Sequence, residues 1–189
     1  NICFEEKAVV QVKEQERALY YGRQIDFVPQ NPMTALDPSR KIGVQMAEFL
    51  RLHQSFSKKD MLCLCEQAII QAGLTDTKRV LNSRPSQLSG GMLQRVLIAL
   101  AIAGKARLVI ADEPTTALDA VHRDQAVEQF LKLREQGCAI LIVTHDFDVA
   151  RHMGGHVLIM KDGRMVERGS AKAGLQNQKA GDTNELIEA

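Results

Sequence analysis

The chain has 189 residues and a formal net charge of +1, long enough for one domain with a core of its own. Lys and Arg are scattered, Trp is absent and aromatic residues make up 4% of the chain. That excludes the massed basic face and the stacking platform of a nucleic-acid binder, and no run approaches the roughly 20 apolar residues that span a bilayer.

Four cysteines, Cys3, Cys63, Cys65 and Cys138, form no C-x-x-C pair and have no nearby histidine at ligand spacing. They read as reduced, partly buried thiols of a cytosolic protein. Glu5, Glu6 and Lys7 interrupt the start before any apolar signal-peptide core.

In chain order, Ile2–Phe4 and Ala8–Gln11 read as short strand pieces, and Val12–Arg23 as a loop or weak helix. "IDFVPQ", 25–30, is a strand that Pro29 closes. "NPMTALDPSR" is an irregular connection. The spacing then predicts a helix from Gly43 to His53, with Met46, Phe49, Leu50 and His53 on one side. A second helix, Lys58–Ala72, carries the stripe Met61, Cys65, Ala68, Ile69 and Ala72 and stops at Gly73. "TDTKRVLNSRPSQ" reads as a polar link.

"QLSGGMLQRVLIALAIAG", 87–104, is an apolar helix that opens on Ser89-Gly90-Gly91. Ser is a good N-cap, the first amides of a helix lack internal acceptors, and glycines let a ligand approach the backbone. The pattern therefore fits an anion-binding helix end. It fits a capped helix after a flexible loop equally well.

Beyond it, "RLVIAD" (107–112) and "AILIVT" (139–144) are continuous apolar strands, separated by a helix over Ala120–Arg134 with Val121, Val127, Phe130 and Leu131 inward. Asp146–Met153 is a short helix, and "HVLIM" and "KDGRMVERG" form a hairpin through Asp162-Gly163. Apolar strands alternating with helices predict an α/β fold whose parallel sheet is covered on both faces.

Ligands of such sheets sit outside the carboxyl ends of the strands, where Gln30, Asp112-Glu113 and His145 fall. A carboxylate at Asp112 needs a cation or donors, and a hydrated magnesium ion beside nucleotide phosphates supplies one. Glu113 suits a base or water-orienting group for attack on a terminal phosphate. His145 suits contact with the developing charge of that group. The plainer readings are an acid pair capping the next turn, a strand-end histidine with satisfied nitrogens, and a Gln30 that ties down its loop. Asp119 in "TTALDA" caps the following helix or holds two apposed nucleotide sites in register.

The order Gln30, "LSGGMLQR" (88–95), "LVIADEP" (108–114), "ALD" (117–119) and His145 resembles the nucleotide-binding domain of ATP-binding cassette transporters over nearly the whole chain. The resemblance implies a P-loop NTPase-like, mostly parallel sheet flanked by helices, with an inserted helical subdomain. It implies a partial ATPase core over 1–33, a helical subdomain and linker over 34–86, signature helix and core over 87–169, and a tail over 170–189.

By the same resemblance, Gln30 is the Q-loop glutamine, catalytic and metal-contacting, and Asp112 is the Walker B aspartate holding Mg2+. Glu113 is the catalytic glutamate and His145 the switch histidine. Ser89, Gly90, Gly91 and Gln94 of the signature, with the D-loop Asp119, contact ATP. Two such domains, identical or different, meet head to tail, so that one signature helix caps the γ-phosphate held by the other. Integral membrane permease subunits and, indirectly, an extracytoplasmic substrate-binding protein are the implied partners, with no nucleic acid. The implied place is the cytoplasmic face of the membrane, as a peripheral subunit.

"VPQNPMTALDP" with the signature run further resembles importers of dipeptides, oligopeptides, and nickel or metal chelates. A DNA-repair type cassette ATPase is the alternative enzyme, although 34–86 is short for its coiled-coil arm. A non-catalytic regulatory or scaffold subunit is the alternative of another class.

One departure is plain: no G-x-x-x-x-G-K-[ST] phosphate loop occurs in the sequence. In the family that loop precedes the Gln30 strand, so residues 1–189 read as a domain lacking its first strands and phosphate loop. Without that cradle, triphosphate oxygens would meet Asp112 and Glu113 unshielded, and the expectation is that this polypeptide alone neither binds ATP tightly nor hydrolyses it.

Overall fold

A computed structural model of the chain describes residues 3–4, 7–8, 12–17, 20–22, 24–53, 57–116, 118 and 120–171. It resolves into two compact units, 1–143 and 144–189.

In the first unit, β1 (Cys3–Phe4) pairs antiparallel with β2 (Lys7–Ala8), and a one-turn helix α1 (Glu14–Arg17) follows. The main sheet is β3 (Ile25–Val28), β4 (Leu108–Asp112) and β5 (Ala139–Val143), in that spatial order and all parallel. Ile25–Val28 pair with Leu108–Ala111, and Leu108–Asp112 pair with Ala139–Val143.

Between β3 and β4 lie four helices. α2 spans Ile42–His53, α3 Lys58–Gln71, α4 Thr77–Asn82 and α5 Gly90–Gly104. All five predicted α3 stripe residues are buried, as are Met46 and Leu50 of α2. Their spacing explains the packing of α2 and α3 on each other and of both on α5. The segment read as a polar link contains α4, capped at Asp76, whose Oδ1 accepts from Arg79 N at 3.1 Å, and a 3-10 turn at Pro85–Gln87. Its apolar share is small, but Val80 and Leu81 are enough to bury one side.

α6 (Ala120–Glu135) joins β4 to β5; α5 packs on β3 and α6 on β5. They cover one sheet face, where Val28, Val109 and Ala111 are buried and Asp26 also points. On the opposite face Phe27, Leu141 and Val143 remain 58%, 50% and 53% exposed. The expectation of a sheet covered on both sides is thus corrected: within the described residues of this unit one face is covered. The strands read as fully buried because both of their faces are apolar, whichever of them a helix covers.

In the second unit, Asp146 caps α7 (Phe147–Met153), its Oδ1 accepting from Asp148 N and Val149 N at 2.8 and 3.2 Å. β6 (His156–Lys161) and β7 (Arg164–Ser170) form the predicted hairpin. Its turn residues Asp162 and Gly163 both have positive φ, +51° and +73°, as a tight two-residue turn requires.

Candidate functional site at the strand ends and the α5 tip

Val28 pairs with Ala111, so Gln30 and Asp112 leave the sheet at the same edge. Gln30 is exposed just beyond Pro29, and Asp112 is half-buried at the last position of β4. Glu113 follows in the left-handed region, φ +47°, a conformation an ordinary side chain rarely adopts. Its N–H donates to Val143 O at 2.8 Å, which fixes the turn to the end of β5. Its Oε2 accepts from the Thr116 hydroxyl at 2.7 Å. One acid of the pair, Glu113, thus bonds within the turn, and its carboxylate is held by a local donor that sequence reasoning did not single out. The signal for it was the spacing of Glu113 and Thr116 across a proline.

The connection beyond Gln30 is closely tied. Asn31 Oδ1 accepts from Met33 N at 3.0 Å, opening a 3-10 turn at Pro32–Thr34. Asp37 accepts from the Ser39 N–H and hydroxyl at 2.9 and 2.7 Å, which hold its carboxyl below the usual range. Gln45 bridges back, accepting from Asp37 N and donating to the carbonyls of Asp37 and Arg40. Arg84 Nε then donates to Ser39 O at 3.0 Å, so the connection is fastened to the chain entering α5.

Ser89 caps α5, accepting from Met92 N at 3.3 Å. Gly90 and Gly91 occupy the first helical positions, where N–H groups have no intrahelical acceptor and the helix dipole is positive. Among the described residues, a Cβ built at Gly90 would meet no atom within 4 Å, so none of them closes the tip on that side. At Gly91 it would lie 3.1 Å from Leu118 Cδ2. Gln94, grouped by sequence with the nucleotide contacts, is only 4% exposed, and its Nε2 has no hydrogen-bond partner. It is buried one helical turn beyond Gly90 on α5.

The strand ends thus bring Gln30, Asp112 and Glu113 to one edge, while Ser89, Gly90 and Gly91 form a tip beside Leu118. Asp119 lies outside the described residues. His145 belongs to the second unit, where it is exposed between Thr144 and Asp146.

Among the described residues no three His, Cys, Asp or Glu side chains gather as a metal cage. One half-buried carboxylate with an amide at the same edge suits an ion that arrives with phosphates and keeps waters of its own. No helix among the described residues is long and apolar enough to cross a membrane.

The ABC transporter family model matches residues 2–116. The chain belongs to the ABC transporter family. It is 36% identical over 188 residues to the metal-staphylopine import system ATP-binding protein CntD of Staphylococcus aureus (strain Mu50 / ATCC 700699), covering 99% of this chain and 69% of that protein. It is 37% identical over 188 residues to the oligopeptide transport ATP-binding protein OppD of Lactococcus lactis subsp. cremoris (strain SK11), covering 56% of that relative. This ABC chain thus spans between about half and two thirds of those curated relatives. The fold matches a dimeric post-hydrolysis ATP-binding cassette, MJ0796, bound to ADP and Pi. That match has a TM-score of 0.78 and 27% identity, and covers 89% of this chain and 72% of that one. The expected α/β cassette fold and family are borne out.

Proposed function

We propose that residues 1–189 form most of the ATP-hydrolysing subunit of an importer for peptides or metal chelates, working at the cytoplasmic face of a membrane with permease subunits and, indirectly, an external binding protein. Membership in the family, with relatives named for metal-staphylopine and oligopeptide import, supports the class. The observation that carries the mechanism is the pairing of an acid-tipped strand end, Asp112-Glu113, with an open, serine-capped helix tip at Ser89–Gly91.

In this reading Asp112 and Gln30 would hold a magnesium ion, which would supply charge neutralisation on the phosphates. Glu113, aimed by Thr116, accepts the proton of the attacking water. His145 contacts the terminal phosphate as charge builds on it. Ser89 and the free amides of Gly90 and Gly91 reach across to triphosphate gripped by a second cassette domain, of the same or another chain, packed head to tail. Asp119 contributes to that apposed site. ATP thereby completes the interface, hydrolysis removes the bridge, and the permease converts closure into transport.

Because 1–189 contains no G-x-x-x-x-G-K-[ST] run, the proposal includes that these residues alone do not hold ATP tightly. The test is phosphate release from magnesium–ATP by the full-length protein co-purified with its membrane subunits. Turnover that rises when a peptide or metal-chelate cargo and the binding protein are added is expected. A full-length assembly that neither binds nor hydrolyses ATP would overturn the reading in favour of a scaffold subunit.

A further inference from the structure

Gly91 and Arg95 lie one turn apart on α5, and each meets the chain segment that leads through α6. A Cβ at Gly91 would lie 3.1 Å from Leu118 Cδ2, tighter than an ordinary contact, so the half-buried leucine side chain would have to give by a few tenths of an ångström. One turn on, Arg95 Nη2 donates to Gln125 Oε1, while Nη1 donates to the carbonyl of Gly73 at 3.2 Å. Gly73 has φ +81° and ends the α3 region, and a Cβ there would sit 3.4 Å from Gln129 Nε2 of α6. The planar guanidinium fork thus bridges two elements at fixed angles, which a flexible ammonium would not reproduce.

We infer that Leu118, Arg95 and Gln125 are positioning residues that clamp the Ser89–Gly91 tip to the leading end of α6. The apolar contact holds the tip against Leu118, two residues before α6, and the guanidinium holds the next turn against α6 itself. The tip and Leu118 therefore advance towards a neighbour's nucleotide together. Gly91 has a structural duty besides any phosphate contact: its missing side chain is the slot for Leu118. The functional consequence rests on the ATPase reading above; the clamp itself does not.

The experiment uses the full-length protein with L118A, L118M, Q125A and unsubstituted chains. At saturating magnesium–ATP, L118A and Q125A should each lower turnover about tenfold, with nucleotide affinity of the monomer within twofold of the unsubstituted protein. L118M, which refills the slot, should stay within about threefold. Amide hydrogen exchange over 90–95 and 120–126 should quicken together in L118A, a signature that does not depend on activity.

Turnover within twofold for both alanine variants overturns the inference. So does a loss of turnover matched by an equal loss of nucleotide affinity, or exchange that quickens in only one of the two helices. An unsubstituted protein that hydrolyses no ATP overturns the ATPase reading instead, and the exchange result then decides the clamp alone.

Discussion

The Thr116 hydroxyl donates to Glu113 Oε2 at 2.7 Å, holding the carboxylate of a residue whose backbone is already confined to φ +47°. The acid is therefore pre-aimed from two directions, by the turn and by a side-chain donor. Glu113→Gln keeps the acceptor for Thr116 but removes the carboxylate proposed as the base. Turnover should fall about a hundredfold or more while ATP-driven dimerisation persists. Phosphate release together with sedimentation in ATP checks this, and unchanged steady-state hydrolysis would remove Glu113 from its role.

Thr116→Val tests the aiming separately. It leaves the carboxylate in place without its local donor, so turnover should fall by a smaller factor, about three- to tenfold, on the scale of one ordinary hydrogen bond's net contribution. The comparison of single-turnover rates between T116V and E113Q separates orientation from chemistry.

The two glycines of the tip should respond in opposite ways. Gly90 faces no described residue within 4 Å, so Gly90→Leu should leave the thermal midpoint nearly unchanged yet impair ATP-dependent closure. Gly91→Ala brings a methyl against the Leu118 side chain and should cost at most about 1 kcal/mol of stability, the low end of overpacking, because that half-buried side chain can shift. Denaturation midpoints beside ATP-dependent dimerisation check both. A G90L protein that dimerises normally in ATP would show that no ligand comes to that side of the tip.

Asp26 supplies a pH dependence unconnected with the site. Burial pushes its carboxyl up from 3.8 to about 6, and Oδ2 has no hydrogen-bond partner. The folded state binds this proton more tightly than the unfolded chain, so the stability from it is fully present below pH 3.8 and is lost as pH rises through 6. Asp26→Asn should therefore stabilise the full-length protein at pH 7.5 by at most about 3 kcal/mol, with the gain shrinking as pH falls through that window. Urea denaturation of both proteins at pH 5 and 7.5 reads it. A gain equal at both values would mean that the Asp26 charge is not the cause.

Much of this was legible in the sequence because the signals are local. The run "LVIAD" ends on an acid, which placed Asp112 at a strand end, and Ser89 before two glycines marked the start of α5. α4 was not legible, since its six residues show one buried pair, Val80 and Leu81, amid polar neighbours. Nor was the open sheet face: Phe27, Leu141 and Val143 are as apolar as the residues that α5 and α6 cover, so composition does not say which face a helix takes. The Gly91–Leu118 and Arg95–Gln125 contacts join segments distant along the chain and leave no periodic trace.

The claim on which the mechanism depends is that the Ser89–Gly91 tip of one domain meets triphosphate gripped by another. Its most direct test is thiol labelling of G90C in the full-length protein, in a C63S and E113Q background, by an ATP analogue carrying a thiol-reactive group on its γ-phosphate. Labelling that appears only as protomers pair, rising with protein concentration in step with dimerisation, is the predicted result. A paired, nucleotide-loaded assembly in which that thiol stays unlabelled, or equal labelling of separated monomers, would contradict the account.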